Sequence, residues 1–132
     1  MLSLSHVQRI FLSRATTDMR KQALGLAQVV TDALRQDPLS GDAFVFLNRH
    51  RTIVKILVWD VSGYWVACKR LERGRFAGRR WLDHASGGSI GLSVSELMAL
   101  LEGIDIRQAA YHQHYSATPG RLRDVAMGDQ GV

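Results

Sequence analysis

The 132-residue sequence is poor in the features that mark several protein classes. It has one cysteine, Cys68, and two prolines. A lone cysteine can form neither an internal disulfide nor a multi-cysteine zinc site. The longest apolar group, Ile53 to Trp59, is interrupted by Lys55, far short of the ~18–20 residues a membrane-spanning helix needs. The opening Met1-Leu-Ser-Leu-Ser-His lacks the basic start and apolar core of a secretory signal. No internal repeat is visible. The apolar fraction of 46% supports a packed core and excludes wholesale disorder. The expectation is a small, soluble, cytoplasmic protein with no membrane partner.

Signatures of catalysis are scarce as well. Gly87-Gly88-Ser89-Ile90-Gly91 is glycine-rich but lacks the Lys-Ser/Thr ending of a phosphate-binding loop, and no GxGxxG occurs. Acidic residues are scattered singly, whereas a two-metal phosphoryl-transfer site needs carboxylates converging on the ions. His112 and His114 stand two apart with no cysteine pair or carboxylate cluster to complete a metal site. Cys68 has basic neighbours that favour a thiolate, but a cysteine inside an apolar strand is more often small core filling. No catalytic residue, metal ligand or cofactor is expected.

Positive charge is what the chain concentrates. Between Arg49 and Arg80 lie nine basic residues (Arg49, Arg51, Lys55, Lys69, Arg70, Arg73, Arg75, Arg79, Arg80) against Asp60 and Glu72, a local charge of +7. The other 100 residues carry 8 basic and 10 acidic groups. All of the net +5 therefore sits in about a quarter of the chain, the electrostatic footprint of a phosphate-backbone partner. A solvated, solubilising face is the plainer alternative.

The patterning predicts an α+β fold: a mostly antiparallel sheet of four or five strands with two main helices packed against it. Ala43–Asn48, Thr52–Trp59 and Tyr64–Leu71 are dense in β-branched and aromatic residues and are separated by polar turns, as in an antiparallel meander. They are expected to form the sheet centre, with Arg9–Ser13 and Ser89–Leu92 as short edge strands. One helix is expected over 17–36, capped by Thr16-Thr17-Asp18, with Met19, Ala23, Leu26, Ala27, Val30, Ala33 and Leu34 on its apolar face. Asp37-Pro38 stops it. A second helix is expected over 93–102. Ser93-Val-Ser-Glu96 fits a capping box, Leu92 with Leu97 the accompanying hydrophobic staple, and Gly103 the C-terminal cap. Val94, Leu97, Met98, Leu100 and Leu101 form its stripe. Residues 1–106 read as one domain. Residues 107–132, where periodicity fades and Gly, Pro and Ala accumulate, read as a partly flexible tail.

Three blocks carry a family resemblance. Thr17-Asp18-Met19-Arg20-Lys21 precedes the first apolar stripe. Lys55-Ile-Leu-Val-Trp59-Asp60 leads through Gly63 to Lys69-Arg70-Leu71-Glu72-Arg73-Gly74-Arg75-Phe76. Leu100-Leu-Glu102-Gly103-Ile-Asp105 follows the second stripe. In this order and spacing, over about Val7 to Ile106, the chain resembles the accessory protein, TnpB or Orf2, encoded beside the transposase in bacterial elements of the insertion sequence 66 type. Gln22 and Val61 stand where that family usually has glycine, and Ala77 to Trp81 departs from its usual tryptophan-proline ending. The resemblance implies a non-catalytic helper in transposition, the partner being the transposase of the same element, and it transfers no active site.

The basic motif also has a physical reading. Lys69, Arg73 and Arg75 share parity along an extended chain, with Arg70 opposite. Gly74 lets the backbone bend or approach a partner, and arginine forks match phosphate oxygens. The expected contact set is Lys55, Lys69, Arg70, Arg73, Arg75, Arg79 and Arg80, with element DNA as a further partner. Alternatively Glu72 and Asp60 pair with these arginines and merely fix the hairpin. A protein-docking surface that binds the transposase or another partner without touching DNA is the competing function.

Overall fold

A computed structural model of the protein describes residues 5–102. Five strands, β1 (Ile10–Ser13), β2 (Ala43–Leu47), β3 (Ile53–Asp60), β4 (Gly63–Arg70) and β5 (Ser89–Leu92), form one sheet in the order β4-β3-β2-β1-β5. Helix α1 (Ala23–Asp32) covers one face and α2 (Val94–Glu102) the other. The fold is α+β, and the sheet is antiparallel except where β1 runs parallel to β2.

Alternation along the strands builds the two cores. Val45, Leu47, Val54, Ile56 and Val58 turn to the α2 side, where they pack with Ile10, Leu12, Leu92, Leu97, Leu100 and Phe76. Phe44, Phe46 and Leu57 turn to the α1 side against Leu26, Ala27, Val30 and Leu34. All five residues of β2 are buried, as befits a middle strand covered on both faces.

Three expectations are corrected. Arg9–Ser13 is not an edge: β1 lies between β2 and β5, and β4 is an outer strand instead of part of the centre. The first helix begins at Ala23, not near Thr17, and no side chain caps it. The N–H of Thr17 is drawn to the Leu47 carbonyl, and Asp18 Oδ1 accepts the Arg20 N–H in a tight turn, a local competition that Asp often wins against helix. The helix also ends at Asp32, before the Asp37-Pro38 stop: Leu34 and Gln36 donate back to Val29 and Val30, and Arg35 takes a left-handed φ of 55°. In the third, Val94 and Met98 of the apolar stripe are exposed.

The second helix starts as expected. The Ser93 N–H donates to Glu96 Oε1 at 2.8 Å and the Glu96 N–H to Ser93 Oγ at 3.0 Å, a reciprocal box. Leu92 and Leu97, on either side of it, are both buried in the same core. Gly103, Asp105, the His112/His114 pair and the 107–132 tail lie outside the described residues.

A candidate cationic interface

The register assigns each charged segment to one end of the sheet. At the end where β1, β2 and β4 finish and β3 and β5 begin, the chain passes through Arg14, the 48–51 turn and the whole 71–88 connection. The opposite end holds Asp42, just before β2, and Asp60, at the β3–β4 turn.

The 71–88 connection is held to the cationic end by backbone bonds. Leu71 N–H donates to Thr52 O, Phe76 N–H to Arg51 O and Asp83 N–H to Arg14 O. Phe76, fully buried, anchors its middle in the α2-side core. The buried Arg51 guanidinium donates from Nη1 to the Phe76 carbonyl, so one basic residue of the block braces the loop that presents the others. Gly74 adopts φ 71°, a left-handed turn open to glycine at little cost. Strand β4 ends at Arg70, so the shared parity expected of Lys69, Arg73 and Arg75 stops there, and the loop sets the two arginines.

Lys69, Arg70, Arg73, Arg75, Arg79 and Arg80 are all exposed. Lys69 Nζ donates to the Leu101 carbonyl in the last turn of α2, a favourable place for a cation. Arg80 lies over the Trp81 ring at 4.9 Å, and Trp81 packs on the core. Among the described residues, no ion pair joins Glu72 or Asp60 to these side chains; the two ion pairs found are Arg9–Asp42 and Arg20–Asp18. Asp60 instead accepts the Trp65 indole N–H at 3.1 Å. The six exposed cations at this end therefore have no ion-paired carboxylate among the described residues.

Lys55 separates from the set. It is 7% exposed, and its Nζ donates to the carbonyls of Met19 at 3.0 Å and Lys21 at 2.8 Å. It ties the Asp18–Lys21 turn to the sheet and cannot meet a partner surface. Within that turn Arg20 grips Asp18, and this hydrogen-bonded guanidinium holds the Asp18 carboxyl at about 2. Arg14 was absent from the expected contact set. It reaches the cationic end because β1 pairs with β2, and among the described residues its Nε is the buried side-chain polar atom without a hydrogen-bond partner. Only the strand order could have revealed this, because Arg14 lies far from the basic block in sequence.

Other chemistry is sparse. Cys68 is exposed on β4, an outer strand of the sheet, and is not core filling. Asp83 is held below the ordinary carboxylate range by hydrogen bonds from the Ser86 side chain and from the backbone N–H groups of Ser86 and Ala85. Among the described residues, no three His, Cys, Asp or Glu side chains gather as metal ligands, and no helix is long and apolar enough to cross a membrane.

Comparison with known proteins adds a family. A family model described as IS66 Orf2 like protein matches residues 8–111. The chain is 39% identical over 99 residues to the uncharacterized protein y4hO of Sinorhizobium fredii (strain NBRC 101917 / NGR234), covering 75% of this chain and 83% of that protein. It is 31% identical over 105 residues to the uncharacterized protein y4jC of the same strain, covering 80% and 86%. No solved structure gives a significant match.

Proposed function

The chain belongs to the IS66 Orf2-like family, and from that membership we propose that it is an accessory protein of an insertion sequence, working beside the element's transposase and touching DNA through its cationic end. One observation carries the DNA contact: six exposed basic side chains from β4 and the loop after it share one end of the sheet with no carboxylate pairing them among the described residues. Pairing with acids would have marked a structural role. Unpaired arginines on a braced loop suit phosphate oxygens, which they can meet with bidentate geometry.

No catalytic role is assigned to any residue. The transposase, as the larger partner, is taken to carry the chemistry, and this protein to supply binding. Retention of duplex DNA tests the contact. The variant Arg73→Glu/Arg75→Glu is expected to lose binding, whereas Arg9→Gln, beside Asp42 at the opposite end of the sheet, is expected to retain it. Both are expected to stay folded, which circular dichroism checks. A pull-down of the transposase with and without nuclease separates the roles: association that survives nuclease, with no DNA binding by the protein alone, assigns the surface to protein docking.

A further inference from the structure

Strand β4 is an outer strand of the sheet and the longer of its two edges, eight residues against four for β5. Its register with β3 runs one-to-one from Gly63 to Arg70 without a bulge, and it contains no proline. Edges this long and regular pair with other chains unless something blunts them. Because Leu71 N–H bonds Thr52 O in this ladder, the odd-numbered residues of β4 address β3 and the even-numbered ones turn their N–H and C=O outward. Val66 and Cys68 thus present backbone groups that meet no partner among the described residues.

The side chains along this edge are ordered in a way that fits one partner. Aromatic Tyr64 and Trp65 come first, and cationic Lys69 and Arg70 come last, with Ala67 midway. Trp65 is 42% exposed, and Cys68, Lys69 and Arg70 are exposed. A two-fold axis through Ala67 sets two copies of β4 antiparallel, as an isologous contact requires. It places Lys69 of each copy across from Trp65 of the other on the α2 face. Arg70 meets the other copy's Tyr64 on the α1 face. All four are cation–aromatic contacts, which draw Lys69 and Arg70 into the dimer and leave Arg73, Arg75, Arg79 and Arg80 of each copy to meet DNA, and Val66 exchanges both backbone hydrogen bonds with Cys68 of the other copy. The same axis sends the two cationic ends in opposite directions, so they do not repel across the contact.

We propose that the protein forms a homodimer by antiparallel pairing of β4 with β4 of a second copy, joining the two sheets into one of ten strands. Cys68 reports the register: the two sulfhydryl-bearing residues sit diagonally, with Cβ atoms about 7–8 Å apart.

The experiment uses the full chain and measures mass in solution by light scattering across concentration. The parent is expected at twice 14.7 kDa, and a short bismaleimide is expected to join two chains through Cys68. Cys68→Pro deletes an outward N–H and spares the β3 ladder, an edge position where proline is tolerated. It removes two hydrogen bonds per dimer and is expected to weaken the dimer at least about tenfold. Trp65→Lys, which sets like charges opposite each other, is expected to give monomers, and Trp65→Lys/Lys69→Glu to restore the dimer. A monomeric parent at every concentration overturns the proposal, and protection of the outward Val66 and Cys68 amides from exchange in that monomer assigns the edge to the chain beyond Glu102. A dimer that survives both Cys68→Pro and Trp65→Lys overturns it equally.

Discussion

Lys55 of β3 donates its ammonium protons to the backbone carbonyls of Met19 and Lys21, at 3.0 and 2.8 Å. A cation counted in the basic block is thereby a structural strut. Lys55→Met keeps most of the stem and removes the donor, leaving two carbonyls with no protein partner. A loss of about 1.5–3 kcal/mol follows from hydrogen bonds to a charged group, read as a lower denaturant midpoint. DNA binding by the folded fraction should be unchanged. A stability-neutral Lys55→Met would contradict the strut.

Val61 turns the β3–β4 hairpin at φ 52° and is 89% exposed, and the Ser62 N–H reaches back to the Asp60 carbonyl across it. A β-branched residue there carries a left-handed penalty of ~1–2 kcal/mol, with no burial to offset it. Glycine relieves that penalty and adds ~0.5–1 kcal/mol of unfolded-chain entropy. Val61→Gly is therefore expected to raise stability by about 0.5–1 kcal/mol, measured by chemical denaturation.

Along α2, Leu100 is fully buried whereas Leu101 is half-buried. Leu100→Ala is expected to cost ~2–5 kcal/mol and Leu101→Ala distinctly less. Ser93→Ala breaks the capping box at a cost of ~1 kcal/mol. Denaturant midpoints should rank the three in that order of severity, with Leu100→Ala the worst. Ser93→Ala as the worst of them would misplace the core face.

Asp18 offers a titration. Its carboxyl is depressed to about 2 by Arg20, so its stabilising contribution is present at neutral pH. That contribution is lost as pH falls from the ordinary carboxylate range through about 2. Carbon-detected NMR should follow a midpoint near that value, and Arg20→Ala should return it toward the ordinary range.

Much of the fold was legible from local pattern. The β2–β3–β4 meander showed in dense β-branched and aromatic runs between polar turns, and the start of α2 in Ser93 and Glu96 at capping-box spacing. What escaped was non-local. Arg9–Ser13 reads as a strand, but nothing within it says that β2 and β5 flank it, so neither its interior place nor the position of Arg14 followed. Thr16-Thr17-Asp18 is cap chemistry that a tight turn can use equally well, and the pull of Leu47 and Lys55 on that turn decided the outcome. At the candidate site, the basic block was visible as charge, whereas the burial of Arg51 and Lys55 depended on which loops they met.

The salt dependence of duplex DNA binding tests the central claim most directly. Contact through several phosphates makes the logarithm of affinity fall linearly with the logarithm of salt concentration, by ~0.9 for each phosphate neutralised. The parent should show such a slope, Arg73→Ala/Arg75→Ala a slope shallower by about 2, and Arg9→Ala, at the opposite end of the sheet, an unchanged one. Equal slopes in all three proteins, or no binding by the parent at low salt, would contradict a DNA-contacting cationic end.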